Sequence, residues 1–140
     1  MATLEPGSTK PRLVLDAGAI LALARGAPAA RAKLKRAARE CYVVIVPTPV
    51  VAQVHRGGRT KAAMDRALRA VDIYAPTSVE TARHAGELLA RAGMADAVDA
   101  IVVAEALAGS RSTILTSDPE DLSCLVEAEA ARGHVFISRV

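Results

Sequence analysis

The sequence predicts a three-layer α/β/α domain in which helices cover both faces of a central, mainly parallel sheet of four to five strands. Short, continuously apolar runs recur along the chain, as in strands that are buried on both faces. Longer segments with helical periodicity separate these runs, and Pro, Gly and capping residues mark the boundaries. Alternation of strands and helices is typical of a parallel sheet, because the chain between two parallel strands must cross back over the sheet, usually as a helix.

Five segments have the composition of buried strands, in which apolar and β-branched residues follow one another. In chain order they are RLVL (12–15), YVVIV (42–46), VDIYAP (71–76), STILTS (112–117) and HVFIS (134–138). The third is the least typical, because Asp72 places a charge near its start.

Helices are predicted between the strands from their start and stop signals. In chain order they cover about residues 18–25, 28–40, 49–56, 60–70, 78–92 and 96–109, with a seventh that starts at 118–119. Thr48 is placed to cap the third helix, and Thr77 or Ser78 the fifth. Asp118, which a Pro and two further acids follow, is a strong start for the seventh.

The composition is that of a globular protein of 140 residues and argues against a disordered or a membrane-spanning chain. Hydrophobic residues make up 51% and aromatic residues only 2%, so the core must consist of Ala, Val, Leu and Ile. The charged share of 24% is ordinary for a folded protein and argues against disorder. No apolar run suits a bilayer span or a secretory signal. We therefore expect one cytoplasmic domain over residues 1–140 with no membrane contact, in which residues 1–11 form a flexible tail.

Basic residues are concentrated in two of the predicted helical regions. RAKLKRAARE (31–40) and RGGRTKAAMDRALR (56–69) hold a large part of the Lys and Arg, and the net charge is +3. The excess is a weak sign of a polyanionic partner. The alternative is that each stretch is the solvent-exposed face of a helix, which by itself explains the concentration of Lys and Arg there.

Four aspartates are expected at one edge of the sheet. Asp16 follows the strand RLVL, and Asp118 follows STILTS. Asp96 and Asp99 stand three residues apart at the start of a nearly apolar helix, which leads into the STILTS strand and therefore begins at the same edge. Because the carboxyl ends of parallel strands meet there, all four side chains can converge.

Each aspartate also has a structural explanation. Asp96 and Asp118 can cap helices, and Asp99 is an acid in a first helical turn. Four carboxylates at one edge, however, would repel each other strongly without a cation. Oxygen ligands without His or Cys suit Mg²⁺ or Mn²⁺ rather than zinc. Such clusters commonly hold ions that lower the pKa of a bound water and neutralise a phosphodiester in the transition state.

The order of four segments resembles the PIN-domain family, and most of all its VapC-type toxins of bacterial toxin–antitoxin pairs. The segments are LVLDAG, VPTPVVAQVHRGG, ADAVDAIVVAEA and ILTSDPEDL. The resemblance covers about residues 12–140 and implies a PIN-like α/β/α fold and a Mg²⁺-dependent endoribonuclease that cuts single-stranded or loop RNA. It also implies a homodimer and a small antitoxin protein as partner. By position, Asp16, Asp99 and Asp118 match acids of the family, and Asp96 matches an additional acid.

The sequence departs from the family at two positions. Gln53 stands where the family usually has Glu; its amide oxygen can hydrogen-bond a metal-bound water but adds no charge. Gly18 stands where a hydroxyl residue often follows the first acid. Both changes are expected to weaken metal affinity, and Asp96, one turn from Asp99, can replace the missing charge.

The leading hypothesis assigns a role to each candidate residue. Asp16 and Asp99 bind the first Mg²⁺ or Mn²⁺ directly, Asp96 and Asp118 bind through water or hold a second ion, and Gln53 orients a water. Candidate contacts to RNA phosphates are Arg56, Arg59, Lys61 and Arg66.

Two other functions are compatible with the sequence. A catalytically weakened PIN-like module that binds RNA or protein is favoured by Gln53. A domain of the phosphatase or receiver type also has acids at strand ends, but Leu15 and Ala17 flank Asp16, so the expected second acid is absent. The helices over 28–38 and 49–70 could form a groove for an antitoxin or a dimer interface, and core packing explains their apolar faces equally well.

Overall fold

The computed structural model describes residues 4–5, 7–129 and 133–140. Within these residues, five strands form one sheet in the order β3-β2-β1-β4-β5, and every neighbouring pair is parallel. The strands are β1 (Arg12–Leu15), β2 (Val43–Pro47), β3 (Ile73–Ala75), β4 (Ser112–Thr116) and β5 (Val135–Arg139). The predicted α/β fold with a parallel sheet of up to five strands is confirmed.

Helices occupy the connections between the strands, as the sequence predicts. They are α1 (Ala17–Ala24), α2 (Pro28–Arg39), α3 (Thr48–Val54), α4 (Lys61–Leu68), α5 (Val79–Ala92), α6 (Ala97–Leu107) and α7 (Pro119–Glu127). A short 3₁₀ turn at Gly58–Thr60 precedes α4. None of the helices in the described part of the chain has the length and apolar character needed to cross a membrane.

Two capping predictions have different outcomes. Ser78, rather than Thr77, caps α5, and its hydroxyl oxygen accepts a hydrogen bond of 3.1 Å from the amide of Thr81. The prediction that Thr48 caps α3 is wrong. Strand β2 continues through Pro47, which takes the capping position, so that Thr48 is already the first helical residue and no side chain caps α3.

Helix α6 is nearly apolar because it is enclosed. It packs against α5 on one side and against the sheet on the other. Its buried residues are Ala100, Val102, Val103, Ala104 and Ala106. Its polar side chains lie towards its two ends: Asp96 and Asp99 at the N-terminal end, and Glu105 near the C-terminal end, where it forms an ion pair with Arg12.

The N-terminal segment was expected to be a flexible tail over residues 1–11. Residues 1–3 and 6 lie outside the described part of the chain. Leu4 is half-buried and packs against a small apolar cluster of Ile45, Ile73 and Ala75 on β2 and β3.

Candidate acidic site at the carboxyl edge of the sheet

Asp16 lies at the junction of β1 and α1 and is 7% exposed. Its Oδ1 accepts a hydrogen bond of 2.8 Å from the amide of Ala19 and so caps α1. Its Oδ2 accepts a hydrogen bond from the hydroxyl of Thr116. Both oxygens of this buried carboxylate therefore have a partner, as burial of a polar group requires.

Thr116 connects Asp16 to the end of the neighbouring strand. It is the last residue of β4 and is fully buried. While its hydroxyl donates to Asp16, its Oγ1 accepts a hydrogen bond of 2.9 Å from the amide of Asp118. The sequence analysis missed Thr116. The signal was available, because parallel β1 and β4 pair Leu15 with Leu115 and so bring the next residue of each strand together.

Asp96 and Asp99 occupy the start of α6. Oδ1 of Asp96 accepts hydrogen bonds of 3.0 Å from the amides of both Val98 and Asp99, so its capping role is confirmed. Asp99 is the third residue of the helix and is half-buried. Its own side chain takes no part in the cap.

Asp118 is exposed and stands at the capping position of α7 without capping it. Its side chain makes no hydrogen bond to the helix amides, so the predicted cap is not formed. Glu120 and Asp121 supply negative charge to the first turn instead. A structural role as a helix cap therefore does not account for Asp118.

The carboxylates at this edge repel one another. Burial raises the pKa of Asp99 to about 6, and repulsion from Asp96, Asp16, Asp121 and Asp118 adds to the effect. Burial likewise raises the pKa of Asp16; hydrogen bonds from Thr116 and Ala19 oppose this, and repulsion from Asp118 adds to it. The four predicted aspartates thus form one electrostatic group, which we call the acidic edge. Asp121 is a fifth member that the sequence analysis missed.

Within the described residues, no basic side chain forms an ion pair with the acidic edge. In the described part of the chain, the ion pairs of Lys, Arg and His are made with Glu40, Asp65, Glu87, Glu105 and Glu129, and none with these five aspartates. Uncompensated carboxylates in a partly buried site favour protonation or the binding of a cation.

The chemistry of the acidic edge fits a hard divalent cation, whereas its present spacing does not enclose one. All the donors are carboxylate oxygens, which Mg²⁺ and Mn²⁺ prefer. Across the described residues, however, no three His, Cys, Asp or Glu side chains form a group that could hold a metal ion. Both oxygens of Asp16 and one of Asp96 are engaged by hydrogen bonds. Three of these carboxylates would have to move closer to one another to bind the same ion.

Gln53 lies near the end of α3 and is half-buried. Helix α3 packs against both α1 and α6, the helices that begin with Asp16 and Asp96. Within the described residues its amide group forms no hydrogen bond. Its side chain is therefore not held in one orientation by a protein partner.

The predicted RNA-binding residues are not gathered at one place. Arg56 folds back onto α3 and donates a hydrogen bond of 2.7 Å to the carbonyl of Ala52. Lys61 forms an ion pair of 2.6 Å with Asp65. Arg59 is exposed in the 3₁₀ turn and forms no ion pair or side-chain hydrogen bond within the described residues.

Arg66 borders a different part of the molecule. It lines a cavity with Arg25 and Gly26, which follow the C-terminal end of α1. Asp16 caps the opposite end of the same helix. Arg66 therefore lies towards the far end of α1 from the acidic edge.

Comparisons with known proteins agree with this fold. The PIN domain family model matches residues 13–123, which include Asp16, Asp96, Asp99 and Asp118. The fold is similar to a chain in the crystal structure of VapBC2 from Rickettsia felis bound to a DNA fragment from their promoter, with a TM-score of 0.67 and 12% sequence identity. The alignment covers 91% of this chain and 98% of that one. Curated proteins give no match. Since the family model spans most of the sequence, the chain belongs to the PIN domain family.

Proposed function

We propose that this chain is a metal-dependent endoribonuclease that uses Mg²⁺ or Mn²⁺ and acts as the toxin of a toxin–antitoxin pair. The observation that carries the proposal is the acidic edge, where four other aspartates repel Asp99. Among the described residues, no Lys, Arg or His forms an ion pair with any of these five aspartates. Family membership supports it, because PIN domains are generally nucleases and typically use divalent metal ions.

The residues of the acidic edge have separate tasks in this proposal. Asp16 and Asp99 hold the cation, while Asp96 and Asp118 bind through water or hold a second ion. When bound, the cation supplies an activated water and neutralises charge on the phosphodiester. Thr116 fixes the orientation of the Asp16 carboxylate through its hydrogen bond.

Asp99 is suited to bind a cation near neutral pH. With a pKa of about 6 it is largely ionised at pH 7, yet its burial and its acidic neighbours make that charge unfavourable without a cation. Gln53 offers a neutral oxygen that can orient a water. Arg59 is exposed and available to a phosphate, whereas Arg56, Lys61 and Arg66 would have to leave the positions described above to reach one.

A cleavage assay with matched variants tests this function. Purified protein with Mg²⁺ or Mn²⁺ should cut a labelled single-stranded RNA, and chelation should stop the reaction. Asp16→Asn and Asp99→Asn should lose cleavage by about a hundredfold or more while keeping the fold. Glu87→Gln is the control, since Glu87 is an exposed acid of α5 whose partner is Arg91. Undiminished metal-dependent cleavage by both aspartate variants would refute the assignment.

The biological role is tested separately from the chemistry. Likeness to the VapBC2 structure supports an antitoxin partner, and the helices α2 to α4 are the candidate surface for it or for a homodimer. Expression of the chain alone in the cytoplasm should arrest growth, and Asp16→Asn should relieve the arrest. Co-expression with the product of an adjacent short gene should also relieve the growth arrest. If the chain forms a homodimer, light scattering of the purified protein should give twice the mass of one chain.

A second candidate is a PIN-like module that binds RNA or protein without cutting. Gln53 favours it, because this neutral side chain leaves the site with less charge than the family usually has. Calorimetric titration with Mn²⁺ separates the two possibilities. Heat of binding together with cleavage supports the nuclease, whereas absence of both supports the module.

A further inference from the structure

Gly18 and Ser117 face each other where β1 and β4 end. A β-carbon placed on Gly18 would lie 2.0 Å from Oγ of Ser117, 2.9 Å from its Cβ and 3.2 Å from its backbone nitrogen. These distances are too short for any side chain at residue 18 while Ser117 keeps its place. The side chain of Ser117 therefore fills the space that a residue-18 side chain would occupy, directly after Asp16 and Ala17.

Ser117 is also placed among the acidic residues by its neighbours in sequence. It lies between Thr116, whose hydroxyl contacts Asp16, and Asp118, whose amide contacts Thr116. It is exposed, and across the described residues its hydroxyl forms no hydrogen bond to the protein. Ser117 thus presents an unused hydroxyl group at the acidic edge.

The acidic edge otherwise has few side-chain donors for an anionic ligand. Ionised carboxylates only accept hydrogen bonds, and the hydroxyl of Thr116 is already committed to Asp16. A non-bridging oxygen of a phosphodiester can accept a hydrogen bond in addition to contacting a cation, and the Ser117 hydroxyl can donate it. Gly18 has no side chain to add an uncommitted hydroxyl group at this edge, and Ser117 supplies one in the same space from the segment that follows β4.

We infer that Ser117 binds the substrate and that its hydroxyl donates a hydrogen bond to a non-bridging oxygen of the RNA phosphate. The inference rests on the proposed nuclease function, which it deepens by assigning a phosphate-binding residue. Ser117→Gly should lower kcat/KM for RNA by roughly tenfold to a hundredfold, the size expected for one charge-assisted hydrogen bond. Its Tm and its calorimetric affinity for Mn²⁺ should stay close to those of the original protein.

The decisive experiment moves the hydroxyl group from residue 117 to residue 18, on the other side of the contact between them. Gly18→Ser combined with Ser117→Gly removes the two shortest contacts, leaves the 3.2 Å approach to the backbone nitrogen of residue 117, which needs a shift of a few tenths of an ångström, and restores a hydroxyl in nearly the same space. This double variant should therefore recover most of the lost kcat/KM. Gly18→Ala combined with Ser117→Gly fills the same space without the oxygen and should remain as impaired as Ser117→Gly. The two double variants differ by one oxygen atom, which separates hydrogen bonding from packing.

A second measurement does not depend on turnover. Adenosine 5′-monophosphate carries a phosphate but no phosphodiester, and its Kd in the presence of Mg²⁺ can be followed by NMR titration. Ser117→Gly should weaken this binding by about the same factor as kcat/KM, and the serine double variant should restore it. The inference is overturned if Ser117→Gly binds and cleaves like the original protein, or if the two double variants behave alike. If the original protein cleaves no RNA, the nuclease proposal fails and nucleotide binding alone decides the role of Ser117.

Discussion

The hydroxyl of Thr116 donates a hydrogen bond to Oδ2 of Asp16 where two neighbouring parallel strands end. Both residues are buried, and the β1–β4 register places them side by side. The bond satisfies an oxygen that water reaches poorly, and it lowers the pKa of Asp16 against the effect of burial. One threonine thus helps to keep the first acid of the site oriented and ionised.

Replacing Thr116 by Val should destabilise the fold. The change keeps the shape but leaves Oδ2 of Asp16 without its donor, at a cost of about 1–3 kcal/mol in the free energy of unfolding. Urea unfolding at pH 7 measures the loss, and Thr116→Ser should recover most of it because it keeps the hydroxyl. Equal stabilities of the Val and Ser variants would show that the hydrogen bond contributes little.

Without a divalent ion, stability should fall as the pH rises from about 4 to about 7. The pKa of Asp99 is raised to about 6 in the folded state, so between its unfolded and folded pKa the folded chain binds more protons. The contribution of protonated Asp99 to the free energy of unfolding is therefore fully present below its unfolded pKa and is lost as the pH rises past about 6. Asp16, whose pKa is also raised, acts in the same direction.

Asp99→Asn should remove much of this pH dependence. At pH 7 in the presence of a chelator, the free energy of unfolding of the variant should exceed that of the original protein by on the order of 1 kcal/mol, after solvent screening is allowed for. This difference corresponds to a few degrees in Tm. Thermal unfolding across the pH range makes the comparison. Parallel pH profiles of the two proteins would contradict the assigned titration.

Mn²⁺ should stabilise the protein at pH 7.5 and do so much less at pH 5. An ion at a hundred times its Kd adds about 2.7 kcal/mol to the free energy of unfolding. Protons compete for the same carboxylates, so binding should weaken as the pH falls below the pKa of Asp99. Thermal shifts measure the effect, and Asp16→Asn should abolish it. A shift that persists in that variant would locate the ion elsewhere.

Two substitutions of Asp96 should separate its cap from its charge. Asn at this position can still accept the hydrogen bonds from Val98 and Asp99, so Asp96→Asn should keep the stability of α6 while weakening Mn²⁺ binding. Asp96→Ala loses the cap as well and should cost about 1 kcal/mol more. Unfolding and calorimetry on the same samples give both quantities. If the Asn variant binds Mn²⁺ as well as the original protein, the charge of Asp96 has no part in the site.

The sequence alone predicts the sheet and the placement of the four aspartates towards one edge of it, because both follow from local patterns, whereas their convergence on one ion stays a prediction. Apolar runs mark the strands, and parallel pairing then brings Asp16 and Asp118 to one edge. The extent of residues 1–140 as one domain and the roles of individual residues stay predictions.

Contacts between distant segments are what the sequence patterns do not contain. Thr116 and Asp121 were missed because their importance depends on strand register and on the approach of α7 to α6. The cap at Thr48 was wrong because β2 extends one residue further than its apolar run suggests. Arg66 lies in a basic stretch, but only the packing of α4 on α1 reveals which end of α1 it approaches.

The hydrogen bond between Asp16 and Thr116 spans 100 residues of sequence. During synthesis, a ribosome-bound chain therefore exposes its first acid long before the strand that completes the pocket has left the exit tunnel. Nuclease chemistry of the proposed kind would switch on only after β4 has emerged and paired with β1. A cell that makes this protein would have that interval in which to supply an inhibitor.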